Sequence, residues 1–258
     1  MALNAAAMSS MTLVAPGIAG VLYAYAGPHN VYFVITALAI ASFIFTSFIP
    51  KSGGARKSSG PMMGEIAAGL VYIRHSPMVL VLLLMGLATT LFAMPFRMLL
   101  PVFVVEVYHL GPESMGFLTA VMGGGSLAGA MFIAAIGQWR RGMLLILGSF
   151  ASGIALVLLA LFPIYLVAAA IMILLGLGDA GRRSLNQSLI MEEVEDKYRG
   201  RVMSVFMMNF GLMPLGVLPT GLLSDYAGPQ PAIGLLGILL LITATLVLVT
   251  QKRLRELY

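Results

Sequence analysis

Five polar side chains crowd into one otherwise apolar stretch: Asp179, Arg182, Arg183, Asn186 and Gln187. On a helix their offsets of three, four, seven and eight place all of them on one face. An ionisable group at bilayer depth costs about 2.5–3.5 kcal/mol on insertion scales, so this face is expected to line a wet cavity rather than lipid. Asp179 is the one candidate proton carrier at depth. Desolvation favours a neutral carboxyl, and a neighbouring arginine favours the charged one. A plainer arrangement is also open, in which Arg182 and Arg183 snorkel from a helix end and Asp179 pairs with Arg183 for structure.

Arg97 is the other deep charge, in Met94-Pro95-Phe96-Arg97 with Pro101 following. Two prolines favour a kink or break, and loosened backbone at membrane depth is tolerated where it lines a cavity. Arg97 is expected to meet an anionic group, pair with Glu106 at the outer rim, or snorkel. Asn209 follows Met207 and Met208, whose adaptable thioethers suit a plastic apolar surface. Close helix packing is expected at Gly123-Gly124-Gly125 with Gly129, and at Gly176, Gly178 and Gly181.

Other chemistries lack their residues. The absence of cysteine removes disulfides, thiolate metal sites and cysteine nucleophiles. His29, His75 and His109 have no ligand spacing, so neither a metal nor a cofactor is expected. Gly176-Leu-Gly178-Asp179 spells the G-x-G-D of intramembrane aspartyl proteases. That chemistry needs a second membrane aspartate, whereas Asp196 falls in a loop and Asp225 at an edge. With no paired acids and no nucleophile constellation, an enzyme is not expected.

The elements that must hold these groups are membrane helices. The chain is 60% hydrophobic and 10% charged, with a mean hydropathy of +0.99, far outside the range of soluble domains. Eight apolar runs are long enough to cross a bilayer: 7–27, 30–49, 78–108, 115–136, 142–162, 164–191, 202–226 and 231–250. They are continuous rather than alternating, which predicts an all-α, polytopic membrane helical bundle. Lys51, Arg56, Lys57 and Arg74 lie between the second and third runs. Arg140 and Arg141 lie between the fourth and fifth, Lys197, Arg199 and Arg201 between the sixth and seventh, and Lys252, Arg253 and Arg255 in the tail. The alternate turns carry no Lys or Arg. This is the positive-inside pattern, placing both termini on the cytoplasmic side of the plasma membrane. The net charge of +5 therefore reports orientation and not a nucleic-acid footprint. No basic start or cleavage site precedes the first run, as expected where upstream sequence is absent.

Residues 50–60 are polar, basic and flexible, and residues 63–75 form an amphipathic segment expected on the membrane face. Two runs precede this break and six follow. Gly20-Val-Leu-Tyr-Ala-Tyr-Ala-Gly-Pro28 resembles Gly221-Leu-Leu-Ser-Asp-Tyr-Ala-Gly-Pro229, each between two long apolar runs. Such repeated helix pairs mark secondary transporters. Ala15-Pro16-Gly17-Ile18-Ala19-Gly20 is similar to the G-P-x-x-G-G element of an antiporter's fifth helix. Tyr198-Arg199-Gly200-Arg201-Val202-Met203-Ser204 is similar to the R-G-R-V-M-S opening of the eleventh helix in macrolide- and siderophore-exporter relatives. In these respects the chain resembles the major facilitator superfamily, with the eight runs equivalent to helices five through twelve. Residues 137–141 stand where that family has a basic G-x-x-x-D-R-x-G-R-R element, but lack its aspartate.

The resemblance implies a domain plan: 1–50 the last two helices of an incomplete N-terminal bundle, 51–77 a cytoplasmic linker, and 78–258 a six-helix C-terminal bundle. It also implies efflux of hydrophobic or amphipathic small molecules by alternating access, coupled to protons. Asp179, Arg97, Arg182, Arg183, Asn186 and Asn209 are then the expected substrate or proton contacts, in a half-cavity lined by the third, fourth, sixth and seventh runs. Lacking four helices of that scheme, the chain is expected to be a fragment inactive alone. The alternative is a degenerate transporter serving as a membrane scaffold or partner-binding subunit.

Overall fold

The computed structural model describes residues 29–48, 62–137 and 140–256, with the side chains of 62–68 and 256 outside the description. The first apolar run, most of the linker and the first copy of the repeat lie outside these residues. All regular structure among the described residues is helical. The helices are α1 His29–Ser47, α2 Met62–His75, α3 Pro77–Phe92, α4 Pro95–Glu106, α5 Pro112–Ile136 and α6 Arg141–Leu161. They continue with α7 Tyr165–Glu193, α8 Arg199–Gly211, α9 Pro214–Ala227, α10 Pro229–Thr250 and α11 Lys252–Glu256. Counting α3–α4 and α8–α9 as one span each, seven spans among the described residues are long and apolar enough to cross a membrane. The apolar side chains of α1, including Phe33, Leu38 and Phe43, are exposed.

Two of the expected spans are each broken near their middle, the third run among its prolines as expected. In the third run the break falls at Ala93–Met94 and α4 restarts on Pro95, whereas Pro101 sits inside α4. Proline has no N–H for the carbonyl four residues back but suits the first helical position. Leu91 therefore loses its helical donor, and Gly216 of α9 packs directly on that carbonyl, where an added methyl would collide. The expectation of one helix over 202–226 is corrected in the same way: α8 ends at Gly211 and Pro214 opens α9. The two breaks lie against each other.

Long helix α7 is the axis of the described bundle, packed between α5 and α6. Small residues allow the backbones to touch. Gly176 rests on the Met122 carbonyl and Gly125 on the Ile173 carbonyl, leaving no room for a side chain at either. Ser126 Oγ donates to the Gly176 carbonyl at 3.1 Å across the same seam. On the α6 side, Gly178 sits against Gly148 and Ser152.

The core is split in two along the helix axes. One apolar cluster holds Phe96, Phe103, Leu118, Leu156, Met172 and Ile233. The other holds Leu82, Leu145, Leu185, Leu189, Val202 and Leu254. On α3, α6 and α7 the residues between the two clusters are buried polar groups: Thr89 and Thr90, Ser149 and Ser152, Asp179 and Arg182. A polar level thus crosses the middle of the bundle.

Both ends are tied by local chemistry. At the basic end, Arg141 pairs with Glu192 of α7 and its Nε donates to the Gly137 carbonyl at 3.0 Å. The acid absent from the 137–141 loop is thereby supplied by another helix. The Arg199-Gly-Arg-Val segment anchors α8: Arg199 Nε donates to the Met191 carbonyl at 2.9 Å. Beside it, Tyr198 stacks on Tyr72 of α2 with ring centroids 4.3 Å apart. At the opposite end, the Tyr-Ala-Gly-Pro turn closes α9 with Gly228 at φ +89 and ψ 164, a conformation open essentially to glycine alone. Pro229 then starts α10.

The α5–α7 seam yields a stability test. Gly176→Val forces a side chain into the Met122 carbonyl and should cost about 1–3 kcal/mol, the range for overpacking. Gly181→Ala, where an added Cβ would meet only Ile133 Cδ1 at 3.5 Å, should be near neutral. Thermal unfolding of the detergent-solubilised protein reads both; equal melting temperatures for the two variants would refute the seam as described.

Candidate functional site

The polar level is built around one carboxylate held by three arginines. Asp179 Oδ1 accepts a hydrogen bond from Arg182 Nη2 at 2.7 Å. Its Oδ2 accepts from Arg97 Nη2 at 2.9 Å, and Arg183 Nη2 lies at the same distance. Asp179 and Arg182 are buried, while the side chains of Arg97 and Arg183 are 31% and 44% exposed. The i,i+3 and i,i+4 spacings on α7 bring Arg182 and Arg183 to Asp179. Arg97 arrives from the first turn of α4, beyond the break at Ala93–Met94. Of the alternatives expected for Arg97, it meets an anionic group, and that group is Asp179 and not Glu106. The expected pairing of Asp179 with Arg183 alone is widened to three cations.

The charge balance is uneven. No other ion pair is formed by these arginines among the described residues, so the cluster carries three guanidinium groups against one carboxylate. Buried Arg182 uses Nη2 on Asp179, and its Nε and Nη1 have no hydrogen-bond partner; Asn186 Oδ1 beside it is also unpaired. A buried ion left partly unsatisfied carries a desolvation cost of several kcal/mol.

A crevice opens onto these groups. Arg182, Arg183 and Asn186 of α7 face Gly86, Thr89 and Thr90 of α3, with Phe206, Asn209 and Phe210 of α8 closing the side. Its free volume of about 20 Å³ accommodates a water-sized group and no more. The missing side chain at Gly86 keeps it open: a Cβ there would lie 2.9 Å from Asn186 Nδ2. Asn209 Nδ2 donates to the Leu83 carbonyl at 3.4 Å, tying α8 to α3. A second cavity of about 230 Å³ lies between α3, α9 and α10, lined by Leu91, Phe92, Leu215, Pro219, Leu223 and Leu236 among others. It contains no ionisable group.

Four of the six expected site residues, Arg182, Arg183, Asn186 and Asn209, line the crevice, and Asp179 and Arg97 join them through the ion pairs of the cluster. Gln187, expected on the same face, is exposed and lines neither cavity. Of the runs expected around the half-cavity, the third, sixth and seventh contribute to the crevice, and α5 of the fourth run contributes no lining residue. Met207 and Met208 are exposed and line neither cavity, and Phe206 and Phe210 flank Asn209 in the crevice wall. The i, i+3, i+4 spacing of Phe206, Asn209 and Phe210 was the signal for that face. Thr89 and Thr90, a polar pair inside an apolar run, were the signal on α3.

Residues 1–215 match the model of the Major Facilitator Superfamily. Macrolide efflux protein A of Streptococcus pyogenes is 26% identical over 226 residues, covering 84% of this chain and 55% of the relative. The protein of the same name in Enterococcus faecalis is 27% identical over 215 residues, covering 80% and 66% respectively. The Staphyloferrin A transporter of Staphylococcus aureus is 28% identical over 145 residues, covering 55% and 36%. The chain spans between about a third and two thirds of the length of these relatives. By the family match and the seven apolar spans among its described residues, the chain is a multi-pass membrane protein belonging to the major facilitator superfamily.

Proposed function

We propose that these helices belong to an alternating-access transporter that exports hydrophobic or amphipathic small molecules from the cell in exchange for protons. The single observation that carries the reading is the grip of two separate helices on one carboxylate. Arg97 of α4 and Arg182 and Arg183 of α7 all close on Asp179. A proton arriving on Asp179 removes its charge and with it the attraction to Arg97, the arm on the other helix. Because α4 is hinged from α3 at Ala93–Met94, it then shifts relative to α7 without carrying α3 along. Proton binding is in this way linked to opening and closing of the crevice. Asn186 and Asn209 supply polar contacts to the cargo, and Phe206 and Phe210 supply apolar surface.

Efflux as the direction is supported by the names of the Streptococcus and Enterococcus relatives. The positive-inside pattern supports cytoplasmic basic loops in the plasma membrane. Residues 78–258 form one six-helix bundle in this reading, and residues 1–50 contribute two helices to a second. Alternating access needs both bundles, so the purified 258-residue chain, alone in proteoliposomes under an imposed proton gradient, is expected to move no fluorescent hydrophobic dye above empty liposomes. Gradient-driven uptake by the isolated chain would reverse that expectation.

The transport role itself is tested in the source cells. Deleting the chromosomal frame that encodes this chain should raise accumulation of a panel of hydrophobic dyes severalfold, and a protonophore should abolish the difference. Returning the frame restores export; returning it with Asp179→Asn does not. The same substitution leaves Arg182 without its carboxylate, at a cost of about 3–5 kcal/mol, so membrane abundance is measured in parallel. Unchanged accumulation of every dye on deletion would refute the reading, and a difference that survives the protonophore would refute proton coupling.

A further inference from the structure

We infer that the cluster is a receptor for a carboxylate, and hence that the cargo class is amphipathic organic acids. The inference rests on the proposed reading of the cluster as a cargo-contacting site, and sharpens it. Three guanidinium groups converge on Asp179, which neutralises only one of them. The surplus falls on Arg97 and Arg183, whose side chains are 31% and 44% exposed, and its positive field draws an anion to the cluster. The donors to receive that anion are in place. Arg182 is buried, lines the crevice, and presents Nε and Nη1 without a partner. Those two nitrogens point to different sides of the planar guanidinium, since Nε shares its edge with the Nη2 that holds Asp179, so each offers a separate hydrogen bond to an anion.

The surroundings suit the head of an amphipathic acid rather than a free ion. Arg97 and Arg183 reach the same oxygen of Asp179 from partly exposed positions and are able to swing to a ligand, while buried Arg182 stays. The crevice as it stands holds one water-sized group, and Arg97 and Arg183 swinging off Asp179 open it to a carboxylate. Its wall is apolar on the α8 side at Phe206 and Phe210, next to which a hydrophobic body lies. A water in the crevice satisfies the hydrogen bonds of Arg182 but leaves the charge surplus untouched. An incoming carboxylate competes with Asp179 for Arg97 and Arg183, which makes Asp179 easier to protonate as cargo binds. Cargo and proton are thereby coupled at one point, with no bond made or broken.

Equilibrium dialysis of radiolabelled benzoate against the purified chain in a neutral maltoside detergent tests the inference without requiring transport. Saturable binding of one benzoate per chain is expected, and benzylamine, the cationic counterpart, should not bind. Arg183→Gln keeps the buried Asp179–Arg182 pair and should weaken benzoate binding about tenfold or more; Arg97→Gln should do the same. Asp179→Asn, where it folds, should tighten binding by freeing donors. Sodium chloride at equal concentration should displace little benzoate, because a carboxylate offers two oxygens to separate guanidiniums at once. Absence of saturable binding overturns the inference, as does affinity unchanged in both Arg97→Gln and Arg183→Gln. Equal displacement by chloride would assign the site to an inorganic anion, and benzylamine binding lost in Asp179→Asn would assign it to a cation. Either result refutes the carboxylate class. Loss of benzoate binding leaves the export phenotype on gene deletion intact, and loss of that phenotype leaves benzoate binding intact, so the two readings fail separately.

Discussion

A carboxylate cannot be left charged and alone in the middle of an apolar bundle, and the architecture around Asp179 follows from that constraint. Arginine, whose fork keeps its charge in all ordinary conditions, is the suitable partner at depth. The partners must come from more than one direction, because a single helix offers only its i+3 and i+4 positions. Arg182 and Arg183 occupy these, and Arg97 comes from α4. Ser149, Ser152, Thr89 and Thr90 share the level, so the polar layer extends across three helices and divides the core into two apolar clusters.

The break in the third span is connected to the same constraint. Proline at 95 ends one helix and begins another, which places Arg97 in the first turn of α4, close to the level of Asp179 on α7. The carbonyl released at Leu91 is covered by Gly216 of α9, itself just beyond the second break. Two interrupted helices thus lean on each other beside the ion cluster. Irregular backbone at membrane depth is tolerated where protein covers it or a cavity receives it, and both conditions hold here. By contrast α5, α6 and α7 are long, unbroken and seamed by glycine. They pack backbone to backbone, whereas the broken helices meet them through side chains and the ion cluster.

Much of this was legible in the sequence because it depends on period and length. Apolar runs of membrane length set the helices, and the 3, 4, 7 and 8 offsets set the face that carries Asp179, Arg182, Arg183 and Asn186. What escaped depends on geometry between helices. Pro95 and Pro101 look equivalent as residues, yet only the first breaks the chain, and nothing local to either distinguishes them. Arg97 had several plausible partners, and the choice of Asp179 over Glu106 required knowing which helices adjoin. Gln187 continued the polar offsets but turned outward, because eight residues on it lies about 80° around the helix from Asp179, beyond the part-exposed Arg183. Glu192 replaced the acid missing from the loop at 137–141 from fifty residues away along the chain, a substitution that no spacing rule encodes.

The uneven charge at the polar level ties the mechanics to the recognition. Had the three arginines met three acids, the bundle would be neutral at its centre, and the cluster would act as a staple resistant to any change of state. Had there been no acid, three guanidiniums would repel one another and the helices could not close. One carboxylate for three cations lies between these limits. It holds α4 to α7 strongly enough to define a resting arrangement, yet leaves donors on Arg182 open toward the crevice. In the proposed reading a group entering there competes with Asp179 for Arg97 and Arg183, so binding loosens the contact that keeps the helices together. The site then has two arrangements: the arginines are satisfied either by the protein's own carboxylate with the helices drawn in, or by shared bonds to a ligand with the helices released.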